Sequence, residues 1–68
     1  MANHVYKLED LVGSSSESAQ RAIENAIAHA SAPASQLRWF EVLETRGQVQ
    51  DGKVAHWQVM VRIGSTRE

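Results

Sequence analysis

Four side chains in this 68-residue sequence have types suited to chemistry: Trp39, Arg46, His56 and Gln58. All four point to binding rather than bond-breaking. The Trp39 indole is an aromatic plate with one polar nitrogen, a shape made for stacking at a seam. The Gln58 amide carries both donors and an acceptor, so it can read a ligand edge on which the two alternate. Arg46 offers a strong bidentate donor for a phosphate; a plain ion pair with Glu44, or with Glu41 of a neighbouring chain, is equally open to it. His56 is a further candidate for lining such a site, whereas His4 and His29 read as solvated surface residues.

Catalysis finds little to stand on. The chain has no cysteine, and it shows no Ser-His-acid set, no glycine-rich phosphate loop and no His or carboxylate cluster at metal-ligand spacing. Ser14, Ser15 and Ser16 followed by Glu17 read as the start of a helix, with Ser14 and Glu17 at capping-box spacing, rather than as a nucleophile or phosphate cradle.

The elements that must position these residues follow from spacing. His4 to Val12 is β-friendly and runs into Gly13, which predicts a first strand in which Tyr6, Leu8 and Val12 share one face. From Ala19 the apolar residues Ala22, Ile23, Ala26, Ile27 and Ala30 form one helical stripe, ended by Ser31-Ala32-Pro33. Pro33 to Gln36 is a short connection. Leu37 to Gln48 and Lys53 to Ile63 are two longer strands joined through Asp51-Gly52, a pair suited to the positive φ angles of a tight hairpin. Ser65 to Glu68 read as a frayed tail.

Strand side chains alternate between faces, so parity sorts the hairpin. Trp57, Val59, Val61 and Ile63 should meet the helix, joined by Phe40 and Val42. Leu37, Trp39, Glu41 and Leu43 then go to the other side, with His56, Gln58, Met60 and Arg62. One helix covers one face of a three-stranded sheet, so Trp39, Leu43 and Met60 would face water in a monomer. Such a patch marks an interface or a ligand site.

Size argues the same way. A chain this short buries only about 60% of its unfolded surface and needs staples. Without cysteine, the remaining staple is its own kind, so oligomerisation is expected. Residues 1–68 form a single domain. The formal net charge is −1 with cations scattered, which argues against nucleic acid, and no basic leader or long apolar run is present, so neither secretion nor a membrane is expected and the cytoplasm is. At this level two classes stand: a ligand-binding oligomer, and an oligomeric shell or scaffold without a small molecule.

The sequence resembles the dodecins along nearly its whole length. The resemblance rests on Asn3-His4-Val5-Tyr6, Leu11-Val12-Gly13-Ser14-Ser15, Arg38-Trp39-Phe40-Glu41-Val42, Arg46-Gly47, Asp51-Gly52 and Val54-Ala55-His56-Trp57-Gln58-Val59. It implies an α+β subunit of order β-α-β-β, a three-stranded antiparallel sheet wrapped around one amphipathic helix, assembled into a hollow homododecamer. It also implies flavin storage rather than catalysis, with FMN or riboflavin as the ligand, FAD or another flavin as variants and coenzyme A as a further candidate. By resemblance Trp39 stacks on the isoalloxazine, Gln58 bonds its polar edge and Arg46 meets a phosphate. Two departures stand out: Ser65-Thr66-Arg67-Glu68 replace the family's aromatic extension after the glycine, which bears on any coenzyme A contact, and Trp57 replaces a Phe or Tyr. If Asp51-Gly52 is a two-residue turn, Gln58 falls opposite Thr45, roughly six residues and about 20 Å from Trp39, so the two should reach one flavin only from different subunits.

Overall fold

The computed structural model describes residues 4–66, arranged as β1 (Tyr6–Ser15), α1 (Ala19–Ala28), a 3₁₀ turn (Ala34–Gln36), β2 (Leu37–Gln50) and β3 (Lys53–Thr66). The sheet is antiparallel with β3 in the centre, in the order β1-β3-β2. The expected β-α-β-β subunit is therefore present. The hairpin closes through Asp51 and Gly52, with φ of 55° and 74°, the left-handed pair that a two-residue turn demands.

The core lies between α1 and the sheet. Ala22 and Ala26 pack on Val59, Val61 and Ile63, with Leu11, Ile23, Ile27, Leu37 and Trp57 around them. An alanine stripe contributes little apolar area, but it lets the helix come close. Gly13 is the sheet's half of that approach: a Cβ there would overlap the Ala22 carbonyl and come within 2.9 Å of the Ala26 methyl. Gly13 therefore does not end β1. It pairs with Val59, and Ser14 and Ser15 continue the ladder opposite Gln58 and Trp57, so the first strand runs past the expected limit at Val12.

The helix begins one turn later than the capping-box spacing indicated. Ser18 is the N-cap, its hydroxyl accepting from the Arg21 amide at 3.0 Å. Ser14 stays in the strand, and its carbonyl accepts from Asn25 Nδ2 at 2.9 Å, while the Ser15 hydroxyl accepts from the Glu17 amide. At the far end the Glu9 carboxylate accepts from both the amide and the hydroxyl of Ser31, at 2.9 and 2.8 Å. That clamp ties the residues after the helix to β1 and holds the Glu9 carboxyl below its ordinary range, through the two Ser31 hydrogen bonds first and the Lys7 charge after them.

The tail expected to fray does not fray where it is described. Ser65 and Thr66 are buried and pair with Lys7 and Tyr6. Their polarity hid a strand end that only the antiparallel alignment with β1 completes. Arg67 and Glu68 lie outside the described residues.

A ten-residue helix is about 15 Å long, whereas β2 and β3 have fourteen residues each, about 46 Å of strand. The helix packs on β1 and β3 and, apart from Leu37 at its start, leaves β2 bare. Phe40 and Val42 do lie on the helix face, opposite Ile63 and Val61, yet they are 48% and 43% exposed.

Candidate functional site

The site is the sheet face turned away from α1. On β3 it carries His56, Gln58, Met60, Arg62 and Gly64, alternating with the buried row that meets the helix. The ladder adds Tyr6, Leu8, Asp10, Val12 and Ser14 from β1 and Trp39, Glu41, Glu44, Arg46 and Gln48 from β2. Tyr6, Leu8, Val12 and Trp39 are exposed there, an apolar surface of the kind that marks an interface or ligand site.

Three register shifts adjust this face. Arg38 and Leu43 are extra residues on β2, and Ala55 is extra on β3. They correct two parity assignments. Leu37 pairs with Ser65 and packs against the core rather than on the outer face, because the bulge at Arg38 reverses parity. Leu43 has no partner opposite it, so alternation no longer assigns it a side. The bulge at Ala55 also moves Gln58 by one position: it lies opposite Arg46, not Thr45.

At one end of the face, Trp39 pairs with Gly64. Its indole covers the glycine, since a Cβ added at position 64 would overlap Cε2 and Cζ2 and lie 2.6 Å from Nε1. Tyr6 meets the indole edge-on, with ring centroids 6.1 Å apart and an interplanar angle of 71°. Even so supported, Trp39 remains 40% exposed. An aromatic plate is thus braced from the sheet and open to an incoming planar group.

The middle of the face is ionic. Arg62 donates to Asp10 through Nε and Nη2, at 2.9 and 3.0 Å, with Glu41 across from it on β2. The Arg62 guanidinium bonds to the Asp10 carboxyl and holds it below the usual carboxylate range.

At the other end Arg46 Nε donates to Gln58 Oε1 at 3.2 Å. Val12, Glu44 and Met60 line a shallow depression with these two residues. Arg46 also forms the ion pair open to it with Glu44, with Nη1 4.0 Å from the carboxylate. His56 follows two residues from Gln58 on the same strand face, opposite Gln48. Bonding its oxygen to Arg46 turns the Gln58 amide so that its NH₂ group remains available as a donor.

Of the four sequence candidates, the structure brings Arg46, Gln58 and His56 to one end and sets Trp39 at the other. Sequence spacing gives no site role to Tyr6, Gly64 or the Asp10–Arg62 pair. Tyr6 had a signal in the parity it shares with Leu8 and Val12; Gly64 and Asp10 had none, because both depend on cross-strand register. Among the described residues no group of three or more His, Asp or Glu side chains can hold a metal, and no helix is long and apolar enough to cross a membrane.

Comparison with known proteins fits this architecture. The curated dodecin of Thermus thermophilus is 42% identical over 60 residues, covering 88% of this chain and 87% of that protein. The solved dodecin of Streptomyces coelicolor superposes with a TM-score of 0.85 at 44% identity, covering 100% of this chain and 97% of that one. The dodecin from Streptomyces davaonensis gives 0.84 at 46% identity, with 98% of each chain covered. Since the Dodecin family model also matches residues 5–68, this chain belongs to the dodecin family.

Proposed function

We propose that the protein is a flavin-binding storage and sequestration protein, holding stacked flavins between subunits of a cytoplasmic homododecamer. The observation that carries this is the exposed Trp39 indole, braced on Gly64 and Tyr6, on a sheet face that the protomer does not cover. The residues fit a flavin. Trp39 supplies a stacking plate of matching size. Gln58 supplies an amide for the alternating polar edge of an isoalloxazine, and Arg46 and His56 stand beside it to meet a ribityl or phosphate group, which suits FMN, riboflavin or FAD. Coenzyme A is a further candidate ligand.

Trp39 and Gln58 act on the same flavin from different subunits in this arrangement. Trp39 lies opposite Gly64, six β3 positions from Gln58, about 20 Å of strand, which is longer than the flavin ring system. Assembly is then a condition of binding. A flavin held between aromatic plates has little room for a substrate and loses its excited state quickly, which favours buffering and photoprotection over catalysis.

Titrating FMN or riboflavin into the purified assembly and following flavin fluorescence tests the proposal. Strong quenching is expected, with Trp39→Ala weakening affinity at least about tenfold. Unchanged flavin fluorescence at saturating protein would overturn it and leave a ligand-free shell as the function.

A further inference from the structure

We infer that Gly64 is a positioning residue: its missing side chain is the seat that aligns the Trp39 indole, and through the indole the planar ligand. This rests on Trp39 as the stacking plate of the proposed flavin site. Gly64 lies in the interior of the central strand, between Leu8 of β1 and Trp39 of β2. A glycine there weakens a strand unless something needs its space. Backbone conformation is not the need, because Gly52 alone among the described glycines has positive φ. Space is the need.

Three ring atoms of Trp39, Cε2, Cζ2 and Nε1, occupy the volume that a Cβ at position 64 would fill. Gly64 is itself buried, although it sits on the face that the helix does not cover; the indole provides the cover. Tyr6 closes the ring's rim from β1. The indole is therefore set against the sheet on one side and offers the other. A methyl at position 64 displaces the ring outward, and because a stacked ligand takes its plane from the indole, displacement there misaligns the ligand. Gly64 touches no ligand in this scheme and acts only through Trp39.

The test uses the full assembly labelled with 5-fluorotryptophan, whose two fluorine resonances are assigned with Trp39→Phe. In Gly64→Ala the Trp39 resonance should shift while that of Trp57 stays, and FMN affinity measured by quenching should fall about tenfold. A Trp39 resonance that does not move, or an FMN affinity equal to the parent's in the Gly64→Ala assembly, would overturn the inference. If Gly64→Ala alone does not assemble, the double variant Gly64→Ala/Trp39→Ala should, because the clashing ring is gone; failure of both would show that the glycine serves the backbone and would also overturn it. A parent that binds no FMN sinks the flavin proposal and with it the ligand half of the inference, while the resonance shift still decides whether Gly64 seats the indole.

Discussion

Trp39 and Gln58 lie on the same bare face of the sheet, but the ladder pairs Trp39 with Gly64 and Gln58 with Arg46, so six residues of β3 separate them. Their distance is set by strand geometry and not by side-chain conformation. A bulge at Ala55 and another at Leu43 shift the pairing along the hairpin without bringing the two residues together.

If they serve one flavin across a subunit boundary, Trp39→Ala and Gln58→Ala chains should complement each other. Each homogeneous assembly is expected to bind FMN weakly. Assemblies formed by refolding the two chains together should recover a fraction of full-affinity sites, wherever an intact Trp39 meets an intact Gln58. Mixed assemblies that bind no better than their parents would place both residues of a site in one chain.

Gly13→Ala should destabilise the subunit by about 1–3 kcal/mol, the usual range for forcing extra volume into a packed contact. The added methyl meets the Ala22 carbonyl, and backbone cannot rotate away as a side chain can. Chemical denaturation at fixed protein concentration measures the loss. Stability equal to the parent's would mean that the helix docks less closely than the Gly13–Ala22 contact requires.

Ser18→Ala should cost about 1 kcal/mol through loss of the N-cap, since its hydroxyl accepts from the Arg21 amide. Ser14→Ala should cost much less, because that residue contributes its carbonyl and not its hydroxyl to Asn25. The contrast in denaturation midpoints identifies the cap. A larger effect at Ser14 would restore the capping box read from the Ser14 and Glu17 spacing.

Glu9 gives a dependence on pH. Its carboxyl is held below the ordinary value by two hydrogen bonds from Ser31, an effect that the Lys7 charge assists. A depressed native value means that the unfolded chain binds the proton more readily. The stabilisation is therefore complete above the ordinary glutamate value of about 4.3 and is lost as pH falls through the lower native value. Asp10 behaves alike through its Arg62 bond. Thermal midpoints measured from neutral to acidic pH should fall in the parent, and the fall should be shallower in Glu9→Gln, which has no charge to lose. Identical slopes would remove Glu9 from the account.

Much of this molecule was decided by its sequence alone. Local rules sufficed for the helix stripe at Ala22, Ile23, Ala26 and Ile27, for the Asp51-Gly52 hairpin and for the placing of Trp39, Gln58 and Arg62 on the outer face, because side-chain period and turn conformation are properties of neighbours in the chain. The Trp39-Phe40-Glu41-Val42 block likewise carries the family resemblance in local sequence. Tertiary structure decided what depends on residues far apart. It kept Gly13 to Ser15 in β1, drew Ser65 and Thr66 into β3, turned Leu37 inward through the bulge at Arg38, and set the Trp39 ring over Gly64. Each of these is a matter of register or close approach between strands, and a one-residue slip in register reverses which face a side chain occupies, so no local pattern could have specified them.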